Sequence, residues 1–296
     1  MNQWFSTSLF PQVSNLAFSA LLGIASSAVA FIPTALALEV KITPESPQLG
    51  DTIAIDILTN DMNGATPRTI VGGKTYPAFV TGTNRYRSLI PTTPLNPSGR
   101  MAIQVQDDGE ERNMTVWLRD RAFPTQRIHL RGGGSKATQL ELDRVAALKA
   151  LVTPEKYWNG AFLRPNAGRV STIFGVRRYY NGVFANDYYH RGVDYASPTG
   201  SPVVAPAGGR IALVGRESEG FRVHGNVVGI DHGQGVSSIL LHLHSIDVKE
   251  GDFVNAGQKI GTVGSTGAST GPHLHWGLYV HGEAVDPVPW RYEGRY

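Results

Sequence analysis

The chain has 296 residues, 41% apolar and 17% charged, a balance that reads as globular rather than disordered and a length that allows two ordinary domains. A formal charge of +3 is too small to argue for nucleic-acid binding, and none is expected. The absence of cysteine excludes disulfides, zinc–thiolate sites, a thiol nucleophile and lipoprotein acylation, so a metal must be held by His, Asp or Glu, a donor set that suits zinc.

Residues 1–38 carry no charged side chain. Within them Leu16 to Leu38 is almost wholly apolar and long enough to span a bilayer. Ala35-Leu36-Ala37 fits the small-x-small pattern ahead of a signal-peptidase cut, and polar sequence begins at Glu39. Export from the cytoplasm is expected. A cleaved signal and a retained membrane anchor both stay open, Pro33 favouring cleavage.

Residues 39–131 alternate with period two. Ile53, Ile55 and Ile57 interleave with Thr52, Ala54 and Asp56; Met101, Ile103 and Val105 lead through a turn-like DDGEERN to Met114, Val116 and Leu118. Half-buried antiparallel strands follow from that pattern, and an immunoglobulin-like β-sandwich without evident chemistry is the expected domain. Residues 132–155 are expected to be a linker. Gly132 to Gly134 break the chain, Thr138-Gln139-Leu140-Glu141 has the form of a capping box, and Leu142, Val145, Leu148 and Leu151 recur at helical spacing up to Pro154. In residues 156–296 short β-branched runs alternate with glycine, which predicts an antiparallel β domain. The fold class is therefore predominantly all-β, in keeping with 34 glycines and 18 prolines.

Eight of the nine histidines fall in this last region. His-Leu-His occurs twice, at 242–244 and 273–275, and on a strand residues i and i+2 share a face, so each copy can present two imidazoles. His190 and Asp194 stand four apart in HRGVD and can both reach one metal. A catalytic zinc usually takes three protein ligands and leaves a position for water. His190, Asp194 and one of His273 and His275 supply such a set. The other histidine of that pair would stand beside the open position as a general base or acid, and the first His-Leu-His could add an imidazole from the opposite side. Tyr188 and Tyr189 lie near His190 in sequence but carry no assignment. His224, His232 and His281 adjoin glycine at turns and read as exposed loop histidines.

From about residue 156 to 290 the chain resembles the M23 peptidases, the lysostaphin- or LytM-type metallopeptidases. The phrases that carry this are FGVRRYYNG, HRGVDYASPTGSPVVAPAGG, GNVVGIDHG, LLHLHSIDVKEGDFVNAGQKIGTVGSTGASTGPHLHWGLYV and a closing VDP, in the family's order. The upstream β module and helix are also similar to the arrangement in some exported members. The resemblance implies one zinc ion per chain held by His190, Asp194 and His275, with His242 and His273 as the catalytic histidines beside the metal. His244 then reads as a surface residue. Leu240 replaces a tyrosine of the family motif and leaves the packing near His242 open. By the same resemblance GQKIGTVGSTGASTG forms one wall of a groove for an extended peptide. The implied function is hydrolysis of peptide cross-links of bacterial peptidoglycan. D,D-endopeptidase action on stem peptides is the first expectation and cleavage of glycine bridges the second. The alternative is a non-catalytic LytM-like regulator or scaffold of other wall hydrolases, and the complete histidine set argues against it. A wall-binding role for the first β module is a further alternative. The oligomeric state has no signal in the sequence.

Overall fold

A computed structural model describes residues 38–59, 65–129, 136–292 and 296. The expected signal or anchor lies outside these residues, apart from Leu38, and so do Gly132 to Gly134. No helix of the described residues is long and apolar enough to cross a membrane.

The first eight strands are β1 (Glu39–Thr43), β2 (Thr52–Leu58), β3 (Arg68–Val71), β4 (Lys74–Pro77), β5 (Phe79–Gly82), β6 (Arg85–Pro91), β7 (Gly99–Asp107) and β8 (Glu110–Leu118). They make two four-stranded antiparallel sheets, in the orders β1-β2-β6-β5 and β4-β3-β7-β8. Ile53, Ile55, Ile57 and Ile90 of one sheet meet Ile103, Val105 and Val116 of the other in a common core, as the alternation requires. Asp108 and Gly109 join β7 to β8 with φ of 27° and 87°, the positive values that a two-residue hairpin needs to match strand twist.

The alternation did not reveal that the first sheet is covered on both faces. Ala54 and Leu89 are cross-strand partners and wholly buried, in the same apolar cluster as Trp158, Phe162 and Trp290. Trp290 Nε1 donates to Thr52 Oγ1 at 3.1 Å, and the Tyr296 hydroxyl donates to the Thr52 carbonyl at 2.9 Å. Arg121 and the buried Asp286 form an ion pair at 2.8 Å beside this seam. One face of the first amino-terminal sheet therefore belongs to the core of the carboxy-terminal domain, while the two amino-terminal sheets keep a separate core between them.

The chain continues through β9 (Thr125–Ile128) and α1 (Gln139–Lys149). After these come β10 (Arg169–Thr172), β11 (Arg177–Tyr180), β12 (Val183–Phe184), β13 (Val193–Ala196), β14 (Pro202–Val204) and β15 (Gly209–Gly215). The last strands are β16 (Asn226–Gly233), β17 (Val236–Ile246), β18 (Phe253–Val254), β19 (Lys259–Val263), β20 (His273–Val280) and β21 (Glu283–Val285). A ten-stranded sheet runs β10-β13-β20-β17-β16-β15-β18, with β19 on β17, β14 on β19 and β21 on β20. Its centre is apolar on both faces: Val227, Val228, Ile230, Ile239, Leu240, Leu274, Trp276 and Leu278 are all buried. One pairing departs from the antiparallel expectation, because β9 runs parallel to β11. A strand that leaves the first module thus extends a small sheet of the second.

Helix α1 starts at the expected capping box, Thr138 and Glu141 bonding each other reciprocally. It is docked on the sheet rather than standing free between the modules. Leu148 is buried against Gly229 of β16, where a Cβ would stand 2.5 Å from the leucine methyl. Val145 and Leu151 pack beside it, but Leu142 is half exposed, so the apolar stripe is narrower than its spacing implies.

The shared core makes a testable demand. Ala54→Asp buries a carboxylate in the seam and should cost about 3 kcal/mol or more. Calorimetry should show one transition for the parent chain and two for the variant; an unchanged single transition would contradict the coupling.

Candidate metal centre

The site is built on the pairing of β13 with β20. Asp194 and His275 are direct cross-strand partners, so their side chains leave the sheet on one face side by side. His190 arrives from the turn before β13. Its amide donates to the Val176 carbonyl at 2.8 Å and its carbonyl accepts from Gly175 N at 2.9 Å. Gly192 makes room for the approach, since a Cβ there would lie 2.3 Å from the Trp276 carbonyl and 2.8 Å from His275 Nε2.

Three donor atoms converge. His190 Nε2 lies 3.1 Å from Asp194 Oδ1 and 3.1 Å from His275 Nδ1, and His275 Nδ1 lies 2.8 Å from Asp194 Oδ1. All three residues are buried. His190 Nδ1 sits 2.8 Å from the Ile173 carbonyl, which can only accept, so that nitrogen carries the proton and Nε2 presents a lone pair inward. In the neutral ring an imidazole lone pair therefore faces the carboxylate oxygen, an approach that a cation between them, a proton or a metal ion, stabilises. Two imidazoles and one carboxylate, with ligand atoms all within 4.8 Å of one another, form a group able to hold one metal ion, and the mixed N/O set fits zinc.

The protonation states agree with that use. Burial alone would raise the Asp194 pKa, but hydrogen bonds and charge attraction from His190 and His275 hold it well below the usual carboxylate range. Burial pushes His275 down to about 4, against the pull of Asp194. An ionised carboxylate and a neutral imidazole at pH 7 are the forms that bind metal.

Two more imidazoles close the site. His273, two residues before His275 on β20, directs Nε2 to within 3.9 Å of Asp194 Oδ1, while its Nδ1 bonds the Gly271 carbonyl at 2.8 Å. His242 arrives by a different route. Its neighbour Leu241 is the cross-strand partner of His275, so regular pleating would turn His242 to the opposite face. Between β16 and β17 the register passes from Val228↔Leu240 to Asn226↔Leu243, which places one extra residue on β17. His242 lies in this bulge with φ of 64°, a left-handed conformation uncommon for a residue with a Cβ. The bulge brings its ring to 4.8 Å from that of His273 and 6.5 Å from that of His275. Its Nδ1–H donates to the Thr266 carbonyl at 2.8 Å. Burial, with repulsion from His273 and His275, lowers its pKa to about 3.

The structure thus brings together His190, Asp194, His242, His273 and His275. His244 is exposed, so the first His-Leu-His does not present two imidazoles on one face; the bulge at His242 is the reason. Leu240 is buried in the sheet core. The Tyr188 hydroxyl accepts from Arg178 Nη1 at 2.8 Å, and burial raises its pKa to about 12. The three turn histidines are not exposed as expected. His232 is wholly buried, its ring nitrogens 2.8 Å from the Gly208 carbonyl and from Ser238 Oγ. His224 Nδ1 lies 2.5 Å from Glu141 Oε1, and the His281 ring packs on Tyr76. Pattern reading also missed Thr266 and the inward side of Glu141. The capping box signalled Glu141 but not its partner across the fold.

Residues 188–287 match the family model described as peptidase family M23, and all five converging residues lie inside that span. The carboxy-terminal half carries an M23 peptidase domain. The M23 domain is similar to the DD-carboxypeptidase/endopeptidase Mpg of Neisseria meningitidis, 42% identical over 120 residues, which are 40% of this chain and 26% of that protein. It is also similar to the peptidoglycan DD-endopeptidase ShyC of Vibrio cholerae, 40% identical over 129 residues, 43% of this chain and 29% of that protein. The match therefore spans less than a third of either relative. A crystal structure from Pseudomonas aeruginosa described as a peptidase M23 is similar over most of both chains. It covers 84% of this chain and 96% of the other, with a TM-score of 0.62 and 25% identity.

The buried histidines make stability depend on pH. His232 and His275 titrate near 4 and His242 near 3 in the folded chain, but near 6.5 once unfolded. Between those values the unfolded state binds more protons, so stability present above about pH 6.5 is lost as pH falls towards 4. Each residue contributes up to about 1.4 kcal/mol per pH unit in that window. Urea unfolding of the metal-free chain at pH 7 and pH 5 should show this loss, and His232→Gln should make it shallower. Equal stability at the two pH values would count against neutral buried histidines.

Proposed function

We propose that the chain is an exported zinc metalloendopeptidase that hydrolyses peptide cross-links of bacterial peptidoglycan, with the D,D-bond between stem peptides as its scissile bond. The observation that carries this reading is the geometry of the site: a compact two-histidine, one-carboxylate donor set with two further imidazoles beside it. The M23 match and relatives described as peptidoglycan DD-endopeptidases support the substrate class.

His190, Asp194 and His275 would hold the zinc ion, one per chain. When bound, the ion supplies Lewis acidity, which makes water a better nucleophile near neutral pH and polarises a carbonyl. The chain's own groups do the remainder. His273 and His242 each spend Nδ1 on a backbone carbonyl, so in the neutral form each offers Nε2 as a base. They would orient the attacking water, take its proton and return it to the leaving amine. A low pKa at His242 favours its neutral form before reaction, and a protonated histidine would serve as donor to the developing oxyanion.

The layout proposed for the chain is a leader over 1–38, an immunoglobulin-like domain over 39–131, a linker with its helix over 132–155 and the peptidase domain over 156–296. The strand orders β1-β2-β6-β5 and β4-β3-β7-β8 support the second assignment. They have the form A-B-E-D against C′-C-F-G of an immunoglobulin-like sandwich, here without a disulfide. A peptidoglycan substrate, together with the apolar leader, supports export to the bacterial cell envelope.

Digestion of isolated peptidoglycan with the purified chain, with and without a chelator, tests the reading. Mass analysis should show chelator-sensitive loss of cross-linked dimers and new amino and carboxyl ends. His242→Ala and His273→Ala should each lower kcat by about 100-fold or more while keeping the metal. Chelator-insensitive cleavage, or full activity in both variants, would refute the assignment.

A further inference from the structure

Glu141 is a wholly buried carboxylate whose role the chemistry above leaves open, and it lies on α1, outside the span matched to the M23 family. A capping-box glutamate needs only to reach back to the N-cap amide, which it can do from the surface. Here the residue is wholly buried. Its carboxylate accepts from Thr138 N at 3.3 Å, from Val223 N at 3.0 and 3.3 Å, from His224 N at 2.6 Å and from His224 Nδ1 at 2.5 Å. Burial alone would raise its pKa, but the donors of His224 and Val223 outweigh that and lower it. Thr138 Oγ1 adds a bond to the Gly220 carbonyl at 2.9 Å. The start of the helix is therefore tied to the 220–224 turn.

That turn holds His242. The His224 carbonyl accepts from His242 N at 3.1 Å, and the Val223 carbonyl accepts from Ala268 N at 3.0 Å. Gly225 packs directly on Thr266, where a Cβ would stand 2.5 Å from the Thr266 oxygen. The Thr266 carbonyl is the acceptor of the His242 ring proton, and Thr266 Oγ1 accepts from Asn226 N at 2.9 Å. Both polar ends of His242, its amide and its Nδ1–H, thus end on carbonyls of two loops packed backbone to backbone. Glu141 fixes the outer loop. His242 needs such fixing because its left-handed backbone persists only when its surroundings impose it.

We propose that Glu141 is a positioning residue for His242, acting through the 223–225 turn, so that a helix outside the matched peptidase span completes the peptidase site. The inference rests on the reading of His242 as a proton-transfer group.

The test compares the full chain with Glu141→Ala, Glu141→Gln and Leu148→Ala. The last loosens the same helix at its far end and serves as the stability control. Steady-state cleavage of a cross-linked muropeptide should show kcat reduced at least tenfold in Glu141→Ala with KM within twofold. Glu141→Gln, which keeps an acceptor for the turn amides, should recover part of that loss. Leu148→Ala should melt earlier yet keep kcat within twofold, and zinc content should match the parent in all three. Equal kcat losses in Glu141→Ala and Leu148→Ala, or none in Glu141→Ala, would overturn the proposal. Histidine-labelled NMR supplies a readout that needs no turnover. The His242 ring signals, assigned with His242→Asn, should move in Glu141→Ala and stay in Leu148→Ala. If the parent chain cleaves nothing, the functional reading fails, while the NMR result still decides whether Glu141 positions His242. An unmoved His242 signal in Glu141→Ala overturns that as well.

Discussion

The approach of the His190 Nε2 lone pair to the Asp194 carboxylate, 3.1 Å apart and buried, is the contact on which the rest of the site depends. In the neutral ring the one His190 proton sits on Nδ1, which donates to the Ile173 carbonyl, so neither of the two facing atoms carries a proton. Two acceptors so placed need a cation, a proton or a metal ion, between them, and the third corner, His275 Nδ1, can donate only one proton to the pair. The fold nevertheless imposes the arrangement through rigid elements. A cross-strand pair sets Asp194 against His275, two backbone bonds seat His190, and Gly192 admits the close approach. Donors preorganised in this way are suited to a cation and would take one up without rearranging the sheet.

Two structural devices deliver the remaining imidazoles. Regular pleating suffices for His273, two residues from His275 on β20. His242 needs a bulge and a left-handed backbone to reach the same face from β17. This difference explains what was legible in the sequence. His-Leu-His at 273–275 has the strand meaning its spacing suggests. The same tripeptide at 242–244 does not, because a bulge has no reliable signature in side-chain alternation. His190 and Asp194 were legible as an H-x3-D, whereas the H-x-H left His273 and His275 open and only the family resemblance pointed to His275 as the third donor. The burial of His232 was not. Its partners, Gly208 and Ser238, lie on other segments, and a histidine beside a glycine looks the same whether its turn is wet or packed.

The modular outline was readable for a similar reason. Period-two alternation in 39–131 gave one buried face to each strand, and that face is the inner core of the two sheets. The second buried face, with Ala54 and Leu89 packed among residues of the M23 domain, was hidden because alanine and threonine suit a solvated face equally well. The helix tells the same story: its capping box was plain, but the turn held by Glu141 lies more than 80 residues away in sequence. Parts of the chain outside the M23 span are therefore joined to it by a shared apolar core and a buried carboxylate. These are contacts that rigidify, and they bear on the loops that hold His242.

Zinc-edge X-ray absorption of the purified chain, run beside metal analysis of His190→Ala and Asp194→Ala, tests the central claim most directly. The account predicts one zinc ion per chain bound by nitrogen and oxygen at about 2.0–2.2 Å, and loss of the metal in both variants. Zinc retained at full stoichiometry by both variants, or a parent chain that binds none at pH 7, would contradict it.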